Sequence, residues 1–131
     1  GQDQVVIFLA EEVVGLDPKT GTQLWSHAHS TSWDINATMP VWSAKHGILM
    51  ISSAYGSGAR GLKLTNTGGK TTIEEAWAQR RIGVQHGVMI LDGDTVYCSI
   101  GMQGPSIFAA VDLTSGEILW KQRGIAKATM V

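Results

Sequence analysis

An eleven-residue pattern occurs twice in this chain, 95 residues apart, and limits the available folds more than any other feature. The copies are Gly15-Leu16-Asp17-Pro18-Lys19-Thr20-Gly21-Thr22-Gln23-Leu24-Trp25 and Ala110-Val111-Asp112-Leu113-Thr114-Ser115-Gly116-Glu117-Ile118-Leu119-Trp120. Asp17 aligns with Asp112, Thr20 with Ser115, Gly21 with Gly116, and Trp25 with Trp120. Each copy reads as a strand, a tight turn and a returning strand. The Asp and Thr/Ser side chains can bond nearby backbone N–H groups and hold the turn. Gly supplies the positive φ such a turn needs. The tryptophan can cover much of a neighbouring sheet.

A degenerate copy lies between these two. Gly61-Leu62-Lys63-Leu64 matches the incoming strand, Gly68-Gly69 the turn, and Glu75-Ala76-Trp77 the outgoing strand. Lys63 replaces the turn aspartate, and the hairpin is longer by about six residues, too long for the same turn. The three copies recur at roughly forty-five to fifty residues, the spacing of four-stranded propeller blades.

The repeat resembles the tryptophan-docking motif, Ala-x-Asp-x-x-Thr-Gly-x-x-x-Trp, of the PQQ-like (quinoprotein-type) β-propellers. That family includes PQQ-dependent alcohol dehydrogenases and an outer-membrane assembly lipoprotein. The resemblance covers essentially the whole chain and implies an all-β propeller segment of about three four-stranded blades. The structural repeat residues are then Asp17, Thr20, Gly21, Trp25, Trp77, Asp112, Ser115, Gly116 and Trp120. A partial first blade falls at about 4–27, the second at about 38–80 and the third at about 86–123, with the first strand of a further blade at 127–131. Propellers usually close with four to eight blades, so the chain is expected to be a piece of a larger disc. An exported or periplasmic location is implied by the resemblance alone.

Composition excludes some functions. Lys and Arg total 10 against 11 Asp and Glu, which leaves no electrostatic footprint for nucleic acid. No apolar run approaches the ~18 residues of a membrane-spanning helix, so neither nucleic-acid binding nor membrane insertion is expected. Cys98 is the one cysteine and cannot form an internal disulfide.

Individual segments fit the blade pattern. Val5–Leu9 is an apolar run suited to a buried strand. Pro40 suits a strand start at 39–43, and Ile48–Ser53 continues that blade. Residues 54–61 read as a glycine-rich loop and 65–72 as a polar hairpin tip. The stretch 74–81 could pass for a helical turn, but its tryptophan register favours an outer strand. Asp92-Gly93-Asp94 carries a strong hairpin signal.

Several apparent chemical motifs weaken on inspection. Gly56-Ser57-Gly58-Ala59-Arg60-Gly61 satisfies G-x-G-x-x-G, but the dinucleotide fingerprint needs a helix after it, and a strand follows. Gly69-Lys70-Thr71 lacks the first glycine of a phosphate loop, which would fall at Leu64. His27 and His29, spaced to share one face of a strand, are weak metal candidates, with His46 or His86 as a third ligand. No Asp, Glu or Cys joins them at ligand spacing. PQQ dehydrogenases carry adjacent cysteines beside the cofactor, calcium ligands and a catalytic Asp; here Ser99 follows Cys98, and no stretch resembles that set. No catalytic or cofactor-binding residue is therefore assigned, and PQQ and calcium are expected only in a parent protein.

The leading expectation is a non-catalytic scaffold or binding module. Its rim loops would meet a protein partner, with Trp33, Asp34 and Arg60 as candidate contacts. The alternative is part of a PQQ-dependent alcohol or sugar dehydrogenase whose catalytic residues lie elsewhere. A third reading is assembly: further blades, or further copies of the chain, pair edge to edge, with Met130-Val131 completing a blade beside Val5–Leu9.

Overall fold

A computed structural model describes residues 2–102 and 106–125. Eleven strands form three antiparallel sheets. The first contains β1 (Val5–Phe8), β2 (Glu12–Leu16) and β3 (Gln23–Ala28), in that order. The second runs β4 (Val41–Ser43), β5 (Ile48–Ser53), β6 (Gly58–Thr67), β7 (Lys70–Gln79). The third runs β8 (Ile90–Asp92), β9 (Thr95–Ile100), β10 (Ile107–Asp112), β11 (Ile118–Arg123). No helix occurs among the described residues. The expected strand at 127–131 lies outside them, as does its pairing with Val5–Leu9.

The repeat is reproduced in register. Gly15 pairs with Trp25, Gly61 with Trp77 and Ala110 with Trp120, and an irregularity follows each first partner. Two of these positions require glycine by contact. A Cβ on Gly15 would sit 2.1 Å from the Trp25 ring, and one on Gly61 would sit 2.2 Å from that of Trp77. In those two sheets the indole lies directly over backbone.

The two intact turns are nearly identical. Asp17 accepts from the backbone N–H groups of Lys19 and Thr20, at 2.8 and 3.1 Å. Asp112 does the same for Thr114 and Ser115, at 2.8 and 2.9 Å. Gly21 and Gly116 have φ of 71° and 72° and donate to the carbonyls of Asp17 and Asp112, both at 2.8 Å. The Thr114 hydroxyl, which donates to Asp112 Oδ1 at 2.6 Å, and the Ser115 and Thr114 N–H groups hold the Asp112 carboxyl below the usual carboxylate range.

Two apolar seams join the sheets. β5 is buried along its whole length, so successive side chains face opposite seams. Leu49 and Ile51 meet Val13, Trp25 and Leu62 at the first seam. Ile48 and Met50 join Val96, Cys98, Ala109 and Val111 at the second. Polar clamps flank both. Asp94 accepts from Lys45 and from His46, at 2.9 and 2.7 Å, and these bonds lower its pKa.

Four local expectations are corrected. The apolar run Val5–Leu9 is not a buried strand: β1 ends at Phe8, only Val6 and Phe8 pack on the first seam, and Val5, Ile7 and Leu9 are exposed. Strand β6 starts at Gly58, so the second half of the glycine-rich stretch is paired strand rather than loop: Gly58 to Gly61 bond along β5. The hairpin tip shrinks to Gly68-Gly69, because Thr65-Asn66-Thr67 pair with Lys70-Thr71-Thr72. The Asp92-Gly93-Asp94 turn loses Asp92 to β8, leaving Gly93-Asp94.

Candidate functional site

The connector between the first and second sheets carries the densest polar network of the described residues. It begins at His29, just past β3, whose backbone N–H donates to the Glu11 carbonyl at 2.8 Å. Arg60 Nη1 donates to His29 Nδ1 at 2.7 Å. Arginine has no acceptor, so Nδ1 is bare and the proton sits on Nε2. That N–H reaches the Ser53 hydroxyl at 3.0 Å. Ser53 in turn donates to Asn36 Oδ1. The Asn36 amide closes the loop onto the carbonyls of Leu9, Ala10 and His29, at 2.7, 2.9 and 3.1 Å. Burial, then the Arg60 charge, then His27 hold the His29 pKa at about 4, against an ordinary 6.5.

The outer half of the connector is pinned separately. The Ile35 N–H donates to the Thr31 hydroxyl at 2.9 Å, and the Asp34 N–H to the Thr31 carbonyl at 3.2 Å. Asp34 takes φ of 53°, a left-handed conformation that aspartate tolerates better than most residues. The Ser57 hydroxyl donates to the Ser30 carbonyl at 2.6 Å, and Thr38 donates to the Ser52 carbonyl. This frame holds apolar side chains out in solvent: Trp33 is 70% exposed, Met39 62% and Ile35 39%.

The candidate residues from the sequence divide accordingly. Trp33 and Asp34 lie in the connector, with Trp33 open. Arg60 lies beneath it on β6, engaged by His29 and by Glu75, whose carboxylate is 3.0 Å from Nε. His27 sits 3.8 Å from the same carboxylate oxygen. Both His29 nitrogens are occupied, and His46 bonds Asp94. Among the described residues no group of three or more His, Cys, Asp or Glu is placed to hold a metal ion. Cys98 is fully buried in the second seam, where burial pushes its thiol up to about 12. It faces neighbouring strands and does not fit a contact to a quinone cofactor.

The repeat tryptophans occupy different environments. Trp77 Nε1 donates to the Leu113 carbonyl in the third sheet at 2.8 Å. Its ring lies where a Cβ on Gly116 would be, 2.5 Å from Cε3. Trp25 is buried but faces the altered hairpin of the second sheet, which has no such turn. Its Nε1 donates to Gln4 at 2.6 Å, and Gln4 donates to the Thr71 hydroxyl at 2.7 Å. Trp120 lies on the outer face of the third sheet beside Tyr97 and Phe108, and is 46% exposed. Gln4 carries no motif in the sequence; its role emerges only when the N-terminal segment lies over the first seam. It also lines a cleft of about 490 Å³ with Trp42, Leu64 and Asn66.

Comparison with known proteins fits this architecture. A family model described as outer membrane protein assembly factor BamB matches residues 1–122. Among solved structures, the quinohemoprotein alcohol dehydrogenase from Comamonas testosteroni matches with a TM-score of 0.64 and 17% identity. The match covers 95% of this chain and 20% of that one, so the chain spans about a fifth of the enzyme's length. No curated protein sequence matches significantly. No helix among the described residues is long and apolar enough to cross a membrane.

Proposed function

Since this chain belongs to the PQQ-like repeat β-propeller family of the outer membrane protein assembly factor BamB, we propose that it is a non-catalytic propeller scaffold whose connector at 30–39 holds a protein partner. The observation that carries this reading is the exposure of Trp33 and Met39 on a loop fixed by hydrogen bonds from both neighbouring sheets. An apolar side chain held rigidly in water gains burial on binding at little further cost in ordering. The scaffold would act in an exported setting, as the family membership suggests.

The dehydrogenase alternative draws on similarity to one solved enzyme at 17% identity, which speaks to fold alone. No residue described in this chain favours it: the buried Cys98 and the hydrogen-bonded His29 are both committed to packing. A quinone absorbance, with calcium-dependent dye reduction on an alcohol or aldose by a parent protein containing this chain, would reinstate it.

The direct test places a photo-crosslinking side chain at position 33 in the exported protein, with the same probe at exposed Lys70 as control. A discrete protein adduct from position 33 alone is the expected result. No adduct, or the same adducts from both positions, would remove the rim-binding role.

A further inference from the structure

His29 ties the first sheet, the second sheet and the connector together at one buried ring. Its backbone N–H holds the β1–β2 turn at the Glu11 carbonyl, and its Nε2 meets Ser53 on β5. Its Nδ1 accepts from Arg60 on β6, and its carbonyl accepts from Asn36 within the connector. The ring stands edge-on to Phe8 of β1, with centroids 5.2 Å apart. The charges around it disfavour a cation. Arg60 from β6 and His27 from β3 both oppose a positive ring. Glu75 from β7 is already paired with Arg60 at 3.0 Å and lies 3.8 Å from His27. The other elements face the ring with Phe8, Ser53 and the Glu11 carbonyl, which carry no charge.

We propose that His29 is an acid-operated latch: on protonation its ring leaves Arg60, and residues 29–36 come free while the sheets stay folded. The inference rests on the reading of this connector as the partner-binding element and adds its regulation, with Trp33 presented rigidly near neutrality and released in acid. Both ring nitrogens of a protonated histidine are donors, so no ring rotation or tautomer restores the bond from Arg60. Asn36 bonds the His29 carbonyl and accepts from Ser53, so the departing segment takes it along. Arg60 also bonds the Ser57 carbonyl at 3.3 Å, and the Ser57 hydroxyl bonds Ser30. A shift of the guanidinium therefore loosens the next anchor of the connector. The strand ladders and both apolar seams are made by other groups, so the opening is local.

Hydrogen exchange, corrected for the intrinsic effect of pH, reads the latch without any partner. The released ring titrates at its ordinary 6.5 and the held one at about 4, so the open fraction rises about 50-fold between about pH 7 and 4.5. The His29 and Ile35 amides should lose protection by that factor, while the β9 and β10 amides keep theirs. His29→Gln retains an acceptor for Arg60 and a donor for Ser53 but takes up no proton, so it should abolish the response. Ring-nitrogen NMR of the unmodified chain tests the same contact should that variant fail to fold: near neutrality the proton should sit on Nε2. Equal loss of protection in β9, a response that persists in folded His29→Gln, or a proton on Nδ1 would each overturn the proposal. The partner adduct from position 33 should disappear in acid from the unmodified protein and survive in His29→Gln; an adduct undiminished in acid would overturn the release. Exchange that opens as expected, with no adduct even at neutral pH, would uphold the latch and remove the partner reading alone.

Discussion

Arg60 donates to the bare Nδ1 of His29 at 2.7 Å, which fixes that ring as neutral in the folded chain. A proton on Nδ1 would face the guanidinium directly. His27 adds positive charge when protonated, and Glu75 is already paired with Arg60.

The burial of His29, reinforced by this contact with Arg60, predicts acid sensitivity well above the carboxylate range. His29 titrates at about 6.5 when unfolded and about 4 when folded. Between those values the unfolded chain binds a proton that the folded chain excludes, so falling pH favours unfolding. The stabilisation is complete above pH 6.5, declines as pH falls to 4, and amounts to roughly 3 kcal/mol at most. Urea unfolding across that range should show the slope, and His29→Gln should flatten it. Asp94 and Asp112, both with lowered pKa, contribute stability that is lost only at still lower pH.

Gly116→Ala and Gly21→Ala form a matched pair. Their φ values differ by one degree, 72° against 71°, so backbone strain is common to both. Only at Gly116 would the new methyl meet an indole, at 2.5 Å. Gly116→Ala should therefore be less stable than Gly21→Ala by about 1–3 kcal/mol, the range for overpacking. Denaturation midpoints in dilute solution decide this; equal losses would show that Trp77 does not occupy the turn.

Gln4 accepts from Trp25 and donates to Thr71. Gln4→Ala strands the indole N–H at a buried seam and should cost about 1–3 kcal/mol. Gln4→Glu keeps the acceptor and should cost less. Faster hydrogen exchange of the Trp25 indole in the alanine variant would locate the loss.

Trp77→Phe and Trp77→Ala separate the hydrogen bond from the packing. Phenylalanine retains an aromatic ring over Gly116 but loses the donor to Leu113, for a loss of about 1 kcal/mol. Alanine empties the site and should cost roughly 3 kcal/mol or more. A phenylalanine variant as damaged as the alanine one would make the Leu113 carbonyl, rather than ring packing, the dominant contact.

The sheets were legible in the sequence because their determinants are local. Asp17 and Asp112 act on residues two and three positions away, and Trp25, Trp77 and Trp120 keep one register across a hairpin. Trp33 stood out for the opposite reason, as an aromatic off that register in a polar connector. The network below it was not legible. His29 and Arg60 are 31 residues apart, and Ser53 and Asn36 are 17 apart, with no periodic signal between them. Arg60 looked like a loop residue because glycines surround it. In the fold Gly58 and Gly61 are paired strand, and Gly61 lies under an indole where a side chain cannot fit.

The order of strands has a further consequence for biogenesis. Every pairing in the three sheets joins neighbours in sequence, so no strand waits for a distant partner. A ribosome delivering the chain from its N-terminus releases each hairpin with its partner already present, and local closure of this kind is fast. The seams can then assemble one after another, each new sheet covering the apolar face that the previous one turns toward it. Nascent chains interrupted after Arg81 would carry two finished sheets and the first seam between them.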